Sequence, residues 1–120
     1  MDNLIETLRR AHLFTQLSQE QIERVARKAR HVTVAEGKTL FSQGDPAERF
    51  FLVVSGQLKL FRLSPEGNEK VIEIITPGHT FAEALMFLNA PRYPVCASAL
   101  AASELIAIDA RDFAAMLRES

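Results

Sequence analysis

The chain has 120 residues, with 14 Lys plus Arg against 15 Asp plus Glu and a formal net charge of -1, so it lacks the broad basic surface that a nucleic-acid backbone requires. Its single cysteine, Cys96, excludes an internal disulfide, a four-thiolate zinc site and a cysteine-ligated iron–sulfur cluster within the chain. One domain is expected, long enough to bury a core without covalent or metal staples.

The opening stretch "MDNLIETLRR" has neither the basic start nor the apolar centre of a signal peptide. No apolar run approaches the ~20 residues needed to span a bilayer, so a cytoplasmic protein without membrane contact is expected. Leu4, Ile5 and Leu8 share one helical face, and "AHLFTQLS" links them to a second helix over 18–30, where Ile22, Val25, Ala26 and Ala29 follow a helical spacing. Ser18 with Gln21 reads as a capping box. The segment 1–30 is therefore expected to be helical and to pack on the remainder of the domain.

From 31 the period shortens. "HVTV", "KTLF", "RFFLVVSG", "QLKLFRLS", "EKVIEIIT", "VCASAL" and "ELIAID" are rich in β-branched and aromatic residues and are separated by Gly, Pro, Asp or Asn. Strands at this spacing predict an antiparallel sandwich or barrel over 31–108. In "QLKLFRL" the alternation puts Leu58, Leu60 and Arg62 on one face and Lys59, Phe61 and Leu63 on the other. "SPEGNE" at 64–69 offers Pro65 at a turn's second position and Gly67 where positive φ is wanted, which joins two strands as a hairpin. "TFAEALMFL" interrupts the strand pattern with about one helical turn. In "DARDFAAMLRES" Asp109 can cap a closing helix, 109–120, that buries Phe113, Met116 and Leu117. That helix has no terminating Gly or Pro, which suggests a piece of a longer protein.

Taken together, Gly37, "QGD" at 43–45, "VVSGQLKL" with Gly56, the "PEG" turn and "PGHTFAE" resemble the sensor domain of the Crp/Fnr transcription regulators. The resemblance covers nearly the whole chain and implies a mainly β fold: an antiparallel β-roll, or double-stranded β-helix of the cyclic-nucleotide-binding type, with flanking N- and C-terminal helices. "TFAEALMF" followed by "APRYPV" is most similar to the nitric-oxide-responsive regulators of dissimilatory nitrate respiration. Whole regulators of that group continue into a long dimerisation helix and a helix-turn-helix DNA reader, neither of which lies within 1–120. The resemblance thus implies a homodimer whose full-length form works with DNA and RNA polymerase.

The family holds a nucleotide's phosphodiester with helix-start N–H groups, an arginine and a Ser or Thr, while a glutamate takes the ribose hydroxyl. On this chain the glutamate is Glu83, the glycine before it is Ala82, the arginine position is Tyr93 and the hydroxyl position is Pro94. Arg92 is one residue out of phase, so in an extended segment it points away from the face Tyr93 occupies. Pro94 offers neither hydroxyl nor N–H. Losing a charge-assisted bond of ~1.5–3 kcal/mol weakens binding by at least ~10-fold to 100-fold, so no cyclic nucleotide is expected.

Phe81, Leu85, Met86, Phe87, Tyr93, Pro94 and Val95 remain as candidates to line an apolar cleft, each with the competing role of ordinary core. The resembled regulators use haem, which such a cleft suits. Without "CxxCH" its attachment is noncovalent. His12, in "AHLF", matches a histidine of the nitric-oxide regulators and is the first choice as haem ligand. His79 is expected in a turn, His31 at the end of the second helix, and Cys96 as a buried filler; Met86 and Met116 are the remaining donors. Catalysis is not expected, because the three histidines lack the spacing of a cupin metal site and Glu83 has no evident partner carboxylate. The alternatives are a true cyclic-nucleotide module and a ligand-free interaction domain.

Overall fold

The structure, a computed structural model, describes residues 2–83 and 91–119. It is built in three layers: helices, a sheet in which Arg30–Val34, Ser103–Asp109, Arg49–Ser55 and Thr80–Phe81 lie side by side in that order, and a second sheet of Thr39–Phe41, Cys96–Ala99, Leu58–Leu63 and Glu69–Ile75 in that order. All the strand pairings are antiparallel. The chain runs α1 (Asp2–Arg10), a 3-10 turn (His12–Phe14), α2 (Gln19–Arg27), β1 (Arg30–Val34), β2 (Thr39–Phe41), β3 (Arg49–Ser55), β4 (Leu58–Leu63), β5 (Glu69–Ile75), β6 (Thr80–Phe81), β7 (Cys96–Ala99), β8 (Ser103–Asp109) and α3 (Ala110–Glu119). This is the mainly β roll with flanking helices that the resemblance implies.

The apolar periodicity decides the layering. β3 and β8 read as near-continuous apolar runs because they are the middle layer, covered on both faces. Phe50, Leu52, Ile106 and Ile108 point to a cluster with Leu8, Phe14, Ile22 and Val25 of the N-terminal helices and Phe113 and Met116 of α3. Their neighbours Phe51, Val53, Leu105 and Ala107 point the other way, into a cluster with Leu58, Leu60, Phe41 and Ala97 of the second sheet.

The capping box forms: Gln21 N–H donates to Ser18 Oγ at 3.2 Å, and Ser18 N–H donates back to Gln21 Oε1 at 2.8 Å. The helix it starts stops at Arg27, short of the expected residue 30. Lys28 leaves helical geometry at φ -109°, ψ 6°, and Arg30–Val34 instead pair with β8, from Arg30 opposite Ala107 to Val34 opposite Ser103. A ladder against a buried strand outweighs a weak helical preference at three positions, and His31 therefore lies in β1.

One further expectation changes. Thr80–Phe81 do not begin a helix; they form β6 against Leu52 and Phe51. The alternation in β4 holds, with Lys59 Nζ over the Phe61 ring on one face, but the register with β5 shifts between Leu60 and Phe61 because β5 carries an extra residue; Phe61 is buried under that lysine and Leu63 is half exposed. The 64–69 hairpin forms as expected, with Gly67 at φ +88° and its N–H donating to Ser64 O at 2.9 Å. At Gly56, also at φ +88°, an added Cβ would come within 2.6 Å of Ala102 O, so only glycine lets β3 turn into β4 there.

Asp109 caps α3, its Oδ1 accepting from Asp112 N–H at 2.8 Å. Phe113 and Met116 are buried, but Leu117 is 38% exposed, because it falls beside rather than within the stripe that faces the roll. Arg24 of α2 clasps α3 through Asp112 at 3.1 Å and Glu119 at 2.9 Å, and Lys28 adds a contact of 3.7 Å to Asp112.

Candidate ligand site

The expected site gathers where β6 ends and where the chain re-enters the roll at 91–95. Phe81 is buried, stacked on Phe51 with ring centroids 5.3 Å apart. Ala82 comes next at φ +67°, a left-handed conformation that costs an L-residue roughly 1–2 kcal/mol. It thus occupies in strain a position where the resembled family has glycine. Glu83 is its neighbour, and Glu83 Oε1 is buried with no hydrogen-bond partner among the described residues. A buried acceptor left in this state favours a ligand that brings a donor.

Tyr93, the residue the resemblance aligns with the family's arginine, lies inside the roll. Its ring lies parallel to Phe41, with centroids 3.7 Å apart and planes at 6°, and its hydroxyl donates to Arg49 O at 3.0 Å. Burial pushes the phenol pKa above its ordinary value. The backbone fixes this pose: Tyr93 N–H donates to Asp45 O at 3.0 Å and Gly44 N–H donates to Tyr93 O at 2.8 Å. Arg92 is exposed, as its phase predicts, and donates from Nη1 to Gly44 O at 2.9 Å. A neutral phenol and an aromatic wall stand at the position the resemblance assigns to the family's arginine.

The remaining candidates are divided. Val95 is half-buried and packs on the inter-sheet cluster, whereas Pro94 is exposed and shares no lining with Phe81 and Tyr93. Leu85, Met86 and Phe87 lie outside the described residues. Cys96 is buried and accepts from Gln43 N–H at 3.3 Å, and Met116 belongs to the helix-side cluster.

His12 stands on the exposed 3-10 turn, its N–H donating to Gly78 O at 3.3 Å. Its ring stacks on that of His79, centroids 4.6 Å apart and planes at 19°. The sequence gives no sign of this pairing, since nothing local says that residue 12 meets the turn before β6. His31 is exposed in β1. Among the described residues no group of three or more His, Cys, Asp or Glu is placed to hold a metal ion. Phe41 and Arg49, which hold Tyr93, are likewise hidden in the sequence, because their contacts with residue 93 are long-range.

Residues 31–120 match the cyclic nucleotide-binding domain family. The chain belongs to that family. The domain is 31% identical over 87 residues to a CRP-like cAMP-activated global transcriptional regulator of Mycobacterium tuberculosis, covering 72% of this chain and 39% of that protein. It is 30% identical over 106 residues to a cyclic AMP receptor protein of Thermus thermophilus, covering 88% of this chain and 49% of the relative. The domain therefore spans half or less of the length of these relatives. In structure it is similar to the sensor domain of the transcriptional regulator DNR from Pseudomonas aeruginosa, with a TM-score of 0.89 and 35% identity over 95% of this chain and 76% of that one. Among the described residues no helix is long and apolar enough to cross a membrane.

Proposed function

We propose that this chain is the ligand-sensing domain of a Crp/Fnr-type transcription regulator that does not use cyclic nucleotide and instead answers to nitric oxide through noncovalently bound haem. The observation that carries the first half is Tyr93, buried and stacked on Phe41 at the arginine position, with Arg92 exposed and Pro94 unable to donate. A phosphodiester would lose water there without gaining a charge-assisted bond. The 35% identity to the DNR sensor domain supports the regulator type, and the resemblance supports the signal.

The residues fit haem at the edge of the roll and not in its core. Phe41 and Tyr93 leave no gap between them, whereas His12 exposes an imidazole beside His79. His12 would hold haem there, and the group would supply the iron that takes up nitric oxide. The role of this chain's own residues is positional: the bond from His12 N–H to Gly78 O couples that turn to the start of β6 and hence to Phe81–Glu83. In a full-length dimer, ligation would shift the population of helix arrangements beyond α3 and so re-aim the DNA readers.

One observation favours a second reading, a cyclic-nucleotide module: Glu83 keeps the ribose-binding position, with a buried oxygen awaiting a donor. Two titrations separate the readings. Calorimetry with cyclic AMP and cyclic GMP should show no micromolar binding, and a micromolar dissociation constant for either overturns the first half. Haem added to the chain should bind at one equivalent, shift its absorption on nitric oxide addition and lose that spectrum in His12→Ala. An identical spectrum in His12→Ala removes the ligand assignment, and no stoichiometric haem uptake removes the haem reading.

A further inference from the structure

Four of the large apolar side chains left half exposed sit on one hairpin: Leu63 at 50%, Val71 at 51%, Ile72 at 48% and Ile74 at 50%. Leu63, Val71 and Ile74 lie on the second sheet's outer side, away from the core. Leu58, Leu60 and Ile75 face inward, so Lys59 and its partner Ile74 face outward. Lys59 Nζ lies 4.9 Å over the Phe61 ring and 2.6 Å from Glu69 Oε1, which places Phe61, Glu69 and their opposites Val71 and Leu63 on the same outer face. β5 is the terminal strand of its sheet, with no strand on its far side among the described residues. An apolar face that runs up to an open edge is a template for strand addition.

The charges on that edge match a second copy of the same strand. The register steps from Leu60 opposite Glu73 to Phe61 opposite Val71, leaving Ile72 as the extra residue of a bulge. Because of that bulge, Lys70 and Glu73, which a regular strand would put on opposite faces, fall on the same face, opposite Arg62 and Leu60. Lys70 then faces Arg62 across the hairpin, a like-charge pair that a carboxylate from outside would relieve. Antiparallel pairing of β5 with β5 about a two-fold axis between Val71 and Ile72 sets Lys70 against Glu73 of the other copy, twice. It brings the two bulges together at the axis, so neither strand slips against the other. It also continues the outer apolar face from Leu63, Val71 and Ile74 of one copy into those of its mate.

We propose that β5 is a self-association edge through which two copies of this domain join their outer sheets into one continuous sheet. The interface is isologous, so it closes at two copies. It is independent of the signal the domain senses.

The test is sedimentation equilibrium of the 120-residue chain. It should show a monomer–dimer equilibrium with Kd below about 100 µM. Lys70→Glu should weaken it at least about tenfold by setting like charges together, and Lys70→Glu with Glu73→Lys should restore it. Val71→Lys should give a monomer, and the thermal midpoint of each exposed-site variant reports that the monomer is still folded. A wild-type monomer throughout, assemblies larger than two, a dimer indifferent to these changes, or a double charge swap that fails to restore association overturns the proposal.

Discussion

Tyr93 is the single tyrosine of a chain without tryptophan, so its ionisation can be followed by absorbance alone. Burial lifts its pKa above the ordinary value, near 10 for the unfolded chain. A raised folded pKa means that the stabilisation is fully present below about pH 10 and is lost as pH rises through the folded value. The absorbance titration should therefore have its midpoint above 10, and a midpoint at or below 10 contradicts the buried pose. Tyr93→Phe, which leaves Arg49 O without its donor, should cost about 1 kcal/mol at neutral pH in denaturant unfolding. That Arg92 points away from the face Tyr93 occupies was legible in the sequence, because alternation along an extended segment is a local rule. The partner ring of Tyr93, Phe41, was not, since no local pattern ties positions 41 and 93. The left-handed φ of +67° at Ala82 is not signalled by the alanine itself.

Among the elements, α2 and α3 are held by charge as well as by packing. The Arg24 guanidinium holds the Asp112 carboxyl below its usual range, against the opposing effect of burial, with Lys28 adding to the pull. A depressed folded pKa contributes stability above the ordinary carboxylate value, which is lost as pH falls through the folded one. Asp112→Asn should thus lower stability at pH 7 by no more than about 1 kcal/mol, since the pair is partly open to solvent. The gap between variant and wild type in urea midpoint should close as pH drops below about 4; a gap independent of pH would mean that the clasp does not act through charge. The elements themselves were largely readable. Ser18, Gln21 and Asp109 announce helix starts through side chains that bond their own backbone, and Pro65 with Gly67 announces the hairpin. Where helix formers and strand pairing compete, at 28–30 and at Thr80–Phe81, the sequence pointed to helix and the sheet prevailed, because β8 and β3 offer ladder bonds that only the assembled roll provides.

For the molecule as a whole, the family match covers 31–120, yet the middle sheet has its second face on Leu8, Phe14, Ile22 and Val25. Leu8 and Ile22 are fully buried. A chain cut to 31–120 would leave Phe50, Leu52, Ile106 and Ile108 with only Ala110, Phe113 and Met116 of α3 against them, losing up to roughly 1.5–3 kcal/mol for each side chain uncovered, against a total stability of about 5–15 kcal/mol. That truncation should lose its cooperative thermal transition and bind a hydrophobic dye, while the 120-residue chain should do neither; a cooperative 31–120 fragment would show that the helices are an accessory. The continuous apolar runs of β3 and β8 already imply cover on both faces.

By itself the sequence determined the β class, the helix caps, the hairpin and the lack of a cation at residue 93, because each comes from side-chain type and short-range spacing. Only the tertiary structure decided that Phe41 and Arg49 lock Tyr93, that His12 meets His79, and that Val71 and Ile74 stay uncovered on an open edge. Those are contacts, or missing contacts, between segments far apart in the chain, and they are set by which strands pair and in what register.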